Sequence, residues 1–138
     1  MRSVADDIAR FLQTGGIGTI GGISDWSIHV NYLPEEPIKA IAIYDTGQEP
    51  PRYSVDTAVE AFEFAYIQIR VKSSSQTLGN TKTQDILDYL DNRGKFTIDD
   101  TEYHNIFRVQ GPFNGEKTED GFFIRYINFR IPRQKTTS

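Results

Sequence analysis

The chain has 138 residues, no cysteine, two histidines and a formal net charge of -4, with a sequence pI near 5.1. Disulfides and thiolate metal sites are thereby excluded, and His29 and His104 stand too far apart in sequence to suggest a zinc ligand set. The overall charge also lacks the basic footprint of a protein that grips DNA phosphates.

The length suits one domain with its own core. No apolar run approaches the roughly 20 residues that span a bilayer, and the acids of MRSVADDIAR stand where a signal peptide would carry its apolar stretch. Folding in a cytoplasm-like compartment is expected. From Val4 to Leu12 the apolar residues Val4, Ile8, Phe11 and Leu12 recur at helical spacing. Ser3 is the expected N-cap, Asp6 and Asp7 suit the positive end of the helix dipole, and Gly15 and Gly16 stop the helix.

The next segment, GGIGTIGGIS, holds Gly16, Gly18 and Gly21 in the G-x-G-x-x-G spacing of dinucleotide-binding loops. That motif works between a strand and a helix whose first amides hold a pyrophosphate. Here a helix precedes it and a strand pattern follows, so a flexible loop is expected. Trp26 to Tyr32 alternates as that strand, with Trp26, Ile28, Val30 and Tyr32 in phase and His29 facing the other way as a solvated residue. LPEEP then turns, and Ile38 to Tyr44 is an apolar run of strand length suited to burial on both faces.

This run delivers Asp45-Thr46-Gly47. An apolar strand ending in Asp-Thr-Gly is the motif of aspartic proteases, in which two such aspartates share a proton and activate water. One copy in a chain of this size would fit a dimeric enzyme. Such enzymes also need a later apolar-apolar-Gly loop, and Val109-Gln110-Gly111 places a glutamine there. The plainer expectation is a turn, with Asp45 bonding backbone amides and Gly47 at positive φ. Gln48 to Asp56 reads as an exposed loop stiffened by Pro50 and Pro51.

Phe62 to Lys72 gives the clearest alternation in the chain: Ala65, Ile67, Ile69 and Val71 on one face, Phe64, Tyr66, Gln68, Arg70 and Lys72 on the other. A second helix is expected from Thr77 or Asn80 to Arg93, burying Thr83, Ile86, Leu87 and Leu90, with Gly94 as its C-cap and Asp85, Asp88 and Asp91 on a solvated face. Lys95 to Ile98 and Glu102 to Gln110 suggest a hairpin turned at Asp99-Asp100-Thr101. A turn-rich break, GPFNGEKTEDG, leads to Phe122 to Ile131, the longest expected strand and an antiparallel partner of the one before it. Its apolar residues on both faces imply two covers, the second of which another subunit would supply. These elements assemble as an α+β domain: a mainly antiparallel sheet of four or five strands with two helices packed on one face. Residues 1–133 form this single domain, and 134–138 are expected as a disordered tail.

The order of N-terminal helix, glycine-rich loop, Tyr32-Leu33-Pro34-x-x-Pro37, strand into Tyr44-Asp45-Thr46-Gly47, Pro50-Pro51, then Ile67-Gln68-Ile69-Arg70-Val71 and a helix resembles the minor capsid and tail terminator proteins of tailed bacteriophages. The resemblance covers nearly the whole chain and lies in the arrangement rather than in any one motif. In that family a second Gly often follows Asp-Thr-Gly and a second Arg often closes the strand, where this chain has Gln48 and Lys72. Lysine keeps the charge and loses the bidentate geometry.

The resemblance implies a structural virion protein with neither catalysis nor cofactor. It would form a hexameric ring at the head-proximal end of a tail tube, end tube polymerisation and join the tail to head-completion proteins. Its partners would be the tail tube protein and a head-completion or stopper protein, with DNA passing through without specific binding and no membrane involved. Its place would be the tail or neck of the virion, after assembly in the host cytoplasm. A head-completion or stopper protein of the neck is the alternative within the class, and a dimeric aspartic protease using Asp45 the more distant one. Expected contact residues are Tyr44, Asp45, Thr46, Gly47, Arg52 and Tyr53 on one loop system, and Phe113 and Lys117 on another. Arg70, Lys72, Arg108, Arg125 and Arg130 would make a basic strip that pairs with helix acids of a neighbouring subunit.

Overall fold

The computed structural model describes residues 3–22, 26–35, 39–52, 62–91, 93–115, 117–118 and 121–135. Helix α1 spans Val4–Thr14 and helix α2 spans Gln76–Leu90. The strands are β1 (Thr19–Ile20), β2 (Ser27–Val30), β3 (Ala40–Arg52), β4 (Phe62–Ser73), β5 (Phe96–Ile98), β6 (Thr101–Tyr103), β7 (Phe107–Asn114) and β8 (Phe123–Lys135).

Both helices form where the apolar spacing places them. The Ser3 hydroxyl oxygen accepts from the Asp6 amide at 3.2 Å and donates to the Asp6 carboxylate at 3.0 Å, which ties the first turn of α1 to its cap. In α2, Ser75 caps the Leu78 amide at 3.1 Å, and Thr83, Ile86, Leu87 and Leu90 are buried as the periodicity requires. Its C-cap is Asp91, not Gly94, because the chain turns out of the helix three residues early.

The sheet is larger and less uniform than the expected four or five antiparallel strands. Its order is β1-β2-β3-β4-β8-β6-β5, with β7 also paired to β8. The β3–β4, β4–β8, β5–β6, β6–β8 and β7–β8 pairings are antiparallel, whereas β1–β2 and β2–β3 are parallel. The parallel step from β2 to β3 depends on a crossover that Lys72 of β4 holds. Its ammonium donates to the carbonyls of Pro34 and Glu35, the latter at 2.8 Å.

The core lies between the helices and one face of the central strands. Ile41 and Ile43 of β3, Ile67, Ile69 and Val71 of β4 and Ile127, Phe129 and Ile131 of β8 meet Val4, Ile8 and Leu12 of α1 and Ile86 and Leu90 of α2. Each such side chain withdrawn from water contributes about 1.5–3 kcal/mol. Phe11, Phe96 and Tyr103 extend the core as a stack, with ring centroids 4.2 and 5.2 Å apart. At the same end Tyr103 donates to the buried Asp7 carboxylate, and Arg133 Nε donates to Glu63 at 2.8 Å. Burial, then the hydrogen bond from the phenol to Asp7, pushes the Tyr103 hydroxyl well above its ordinary value.

Several expectations are corrected. The G-x-G-x-x-G glycines serve the backbone: Gly16 and Gly21 sit at φ 75° and 65°, and a Cβ at Gly18 would collide with the Trp26 carbonyl as β1 pairs with β2. His29 is not solvated. It is buried, its ring nitrogens lie 2.7 Å from Ser27 Oγ and 3.0 Å from Tyr32 Oη, and burial followed by the nearby Lys72 charge lowers its pKa. Gln48 to Arg52 continue β3, paired with β4 as far as Arg52 opposite Phe62, so the exposed loop expected there does not begin before residue 53. The expected strand Glu102–Gln110 divides into β6 and β7, because Ile106 turns into the core between them. Strand β8 runs to Lys135, which pairs with Thr101 of β6. The expected disordered residues 136–138 lie outside the described residues.

Candidate functional site: the open sheet face and its edges

Strand alternation that sends Ile67, Ile69, Ile127 and Phe129 to the helices sends Gln68, Arg70, Tyr126, Asn128 and Arg130 to the opposite face. Tyr44 joins them from β3, where it stands opposite Gln68. From β7 come Phe107, opposite Arg130; Gln110, opposite Asn128; and Phe113, opposite Tyr126. A strand with strict alternation could not place residues three apart on one face. Two irregularities, between Arg108 and Gln110 and between Gln110 and Phe113, each shift the register and restore the same face.

The side chains of this face hold one another. Gln68 Nε2 donates to Asn128 Oδ1 at 3.1 Å, Asn128 Nδ2 donates to Gln110 Oε1 at 3.2 Å, and Arg70 Nε donates to Gln68 Oε1 at 2.8 Å. This ladder crosses three strands. The Arg70 guanidinium lies over the rings of Tyr44 and Tyr126, 4.6 and 5.1 Å from their centroids, and Arg130 lies 4.2 Å from that of Phe64. Tyr126 in turn meets Phe113 at 5.3 Å. Rings and planar cations held on paired strands make a surface of the kind enriched in protein contacts.

The residues selected from the sequence divide among several places. Tyr44, Arg70, Phe113 and Arg130 share the open face. Asp45 belongs to the helix side: its Oδ1 accepts from the Ala5 amide at 3.1 Å, its Oδ2 accepts from Asn31 Nδ2 at 3.2 Å, and its own amide donates to Asn31 Oδ1 at 2.9 Å. It therefore serves as a remote cap for α1. Thr46 is the extra residue of a bulge that ends at Gly47, whose φ is 156°, so Asp-Thr-Gly is a kink within β3 rather than the turn between elements that the sequence suggested. Lys117 is exposed, with its ammonium 5.4 Å from the Phe123 ring centroid. Arg52 lies in β3, and Tyr53 falls outside the described residues.

The five basic residues do not form one strip. Lys72 is buried beneath the 33–35 crossover, beside a cleft of about 290 Å³ lined by Leu33, Thr118, Phe122 and Ile124. Arg108 and Arg125 face the helix side. There Arg108 meets Asp91 of its own chain at 3.6 Å, and Arg125 donates to Asn114 at 2.7 Å. Only Arg70 and Arg130 remain on the open face. Gln68, Gln110, Asn128 and the exposed Phe107 and Val109 of β7 were not selected from the sequence; for Gln110 the reason is that the β7 bulges that bring it onto this face leave no mark on the hydrophobic period. Among the described residues, no group of three or more His, Asp or Glu side chains is placed to hold a metal ion, and no helix is long and apolar enough to cross a membrane.

Such a fold, with helices over one sheet face and an aromatic and amide surface on the other, is an α+β domain. Residues 11–135 match the family described as bacteriophage tail terminator protein, and the chain belongs to that family. It is accordingly a structural protein of the phage tail. The fold is shared with a chain in the solved virion of a native gene transfer agent (GTA) particle, with a TM-score of 0.66 at 8% identity, covering 96% of this chain and 95% of that one. No curated protein sequence matches the chain.

Proposed function

We propose that this protein acts as a tail terminator: a hexameric ring at the head-proximal end of the tail tube that ends tube polymerisation and joins the tail to head-completion proteins. The match to the tail terminator family across residues 11–135 carries this reading. The mechanism is steric. One ring face is complementary to the last ring of tube protein, and the other lacks the surface that would recruit another. The open face built around Arg70, Tyr44 and Tyr126 is a contact surface for such neighbours. DNA passes through the ring without specific binding, in keeping with a net charge of -4. The reading requires no cofactor, metal or catalytic step, and Asp45 acts in it through α1 and Asn31.

Electron microscopy of particles assembled without the gene tests the reading. Overlong tubes of irregular length beside filled, unattached heads are expected. Tails of normal length beside leaking heads would replace it with a head-completion role, and defects in capsid-protein processing would return attention to a protease.

A further inference from the structure

Charge divides across the sheet. Asp45 and Glu63 face the helix side, and Asp6 of α1 and Asp85 and Asp88 of α2 are exposed on the helices above it. On the open face, β2, β4, β7 and β8 place no aspartate or glutamate, while Lys72 is buried beneath the crossover and Arg70 and Arg130 remain as its cations. Arg70 is half-buried, and its neighbours hold it in place. Its guanidinium lies over the rings of Tyr44 and Tyr126, and its Nε donates to Gln68 Oε1 at 2.8 Å. That is its one hydrogen bond among the described residues, so both Nη groups keep their donors for an acceptor outside them.

We infer that Arg70 anchors an acidic segment of a neighbouring tail protein, whose carboxylate accepts from the Nη groups while adjoining apolar side chains pack on Tyr126 and the exposed Phe113. The inference rests on the tail role proposed above and names the chemistry of the neighbour. A guanidinium fork matches the two oxygens of a carboxylate, and one already held between two rings has little freedom left to lose on binding. Tyr44, Tyr126 and Gln68 thus act as positioning residues. The charge distribution selects the same partner: no acid of β2, β4, β7 or β8 stands on this face to repel a carboxylate, whereas the chain as a whole carries -4. A nucleic-acid backbone would require a row of cations, and the burial of Lys72 leaves two arginines among rings and amides. Phe113, 37% exposed and 5.3 Å from the Tyr126 ring centroid, supplies the apolar part of the contact.

Tails isolated from particles assembled without the gene supply the neighbour, and the purified full chain is added back to them. The natural chain is expected to attach, and Arg70→Glu to attach about tenfold more weakly or worse while the free chain keeps its thermal midpoint. Arg70→Lys keeps the charge and introduces an amine, which carbodiimide should couple to an aspartate or glutamate of another tail protein; the natural arginine gives no such link. Should Arg70→Glu unfold the chain, the coupling at position 70 decides alone. A natural chain that does not attach, equal attachment by a folded Arg70→Glu, or no coupling at position 70 would each overturn the contact. Coupling only to acids of this same chain would replace the neighbour with a second copy, and attachment abolished by nuclease would replace it with DNA; either result overturns the inference. Tube length in the gene-deletion particles is read separately. Equal attachment by Arg70→Glu leaves the terminator role standing, and tubes of normal length leave the Arg70 contact standing.

Discussion

The Asp45 carboxylate reaches across from β3 to accept a hydrogen bond from the Ala5 amide at 3.1 Å, in the first turn of α1. An amide at this position has no partner within its own helix, and a carboxylate also suits the positive end of the helix dipole. With its second oxygen on Asn31, Asp45 joins the helix, the β2–β3 crossover and the bulged strand. Asp45→Ala is expected to cost about 1–2 kcal/mol in chemical denaturation. Asp45→Asn retains an acceptor for Ala5 and should cost less. Equal losses in the two variants would show that the Ala5 bond contributes nothing.

Tyr103 is fully buried and donates to Asp7, which is itself 2% exposed. Tyr103→Phe removes that donor while preserving the Phe96 stack, with an expected loss of about 1–3 kcal/mol. The phenol also has a pH signature. Its folded pKa is raised above the ordinary 10.0, so the folded chain holds this proton where the unfolded chain releases it. That stability is fully present below pH 10 and declines as pH rises beyond it. Denaturation at pH 9 and 11 should show a steeper decline in the natural chain than in Tyr103→Phe.

His29 behaves with the opposite sign. Burial, followed by the charge on Lys72, lowers its pKa below 6.5, so between the two values the unfolded chain binds the proton and the folded chain does not. The contribution of neutral His29 is fully present above pH 6.5, falls as pH drops below it and levels off beneath the folded value. His29→Gln should flatten this part of the stability profile relative to the natural chain. Parallel profiles for the two proteins would mean that His29 titrates alike folded and unfolded.

Lys72 anchors the crossover that makes β2 and β3 parallel, through the carbonyls of Pro34 and Glu35. Lys72→Met keeps most of the buried stem and removes the ammonium, leaving those carbonyls without this donor. Faster amide hydrogen exchange at Leu33 and Glu35 is expected, together with a stability loss of about 1–3 kcal/mol. Unchanged exchange there would place the anchor elsewhere.

Local pattern was sufficient for the elements whose core face is set by period. In Phe62–Lys72 a single slip would turn Ile67, Ile69 and Val71 out of the core, so alternation alone identifies the buried face. The same logic marks the buried stripes of α1 and α2, and Ser3 identifies the start of the first helix. The arrangement of these elements along the chain also carried the family. What remained depends on contacts between residues far apart in sequence. The parallel pairing of β2 with β3 is held by Lys72, some forty residues further along. The role of Asp45 is set by Ala5, forty residues before it, and the charge that faces His29 comes from the same distant Lys72. Above all, the alignment of Phe107, Gln110 and Phe113 arises from two register shifts against β8. A bulge is defined by the strand opposite it, so one strand's own sequence carries the residues of the open face but not the pairing that brings them together.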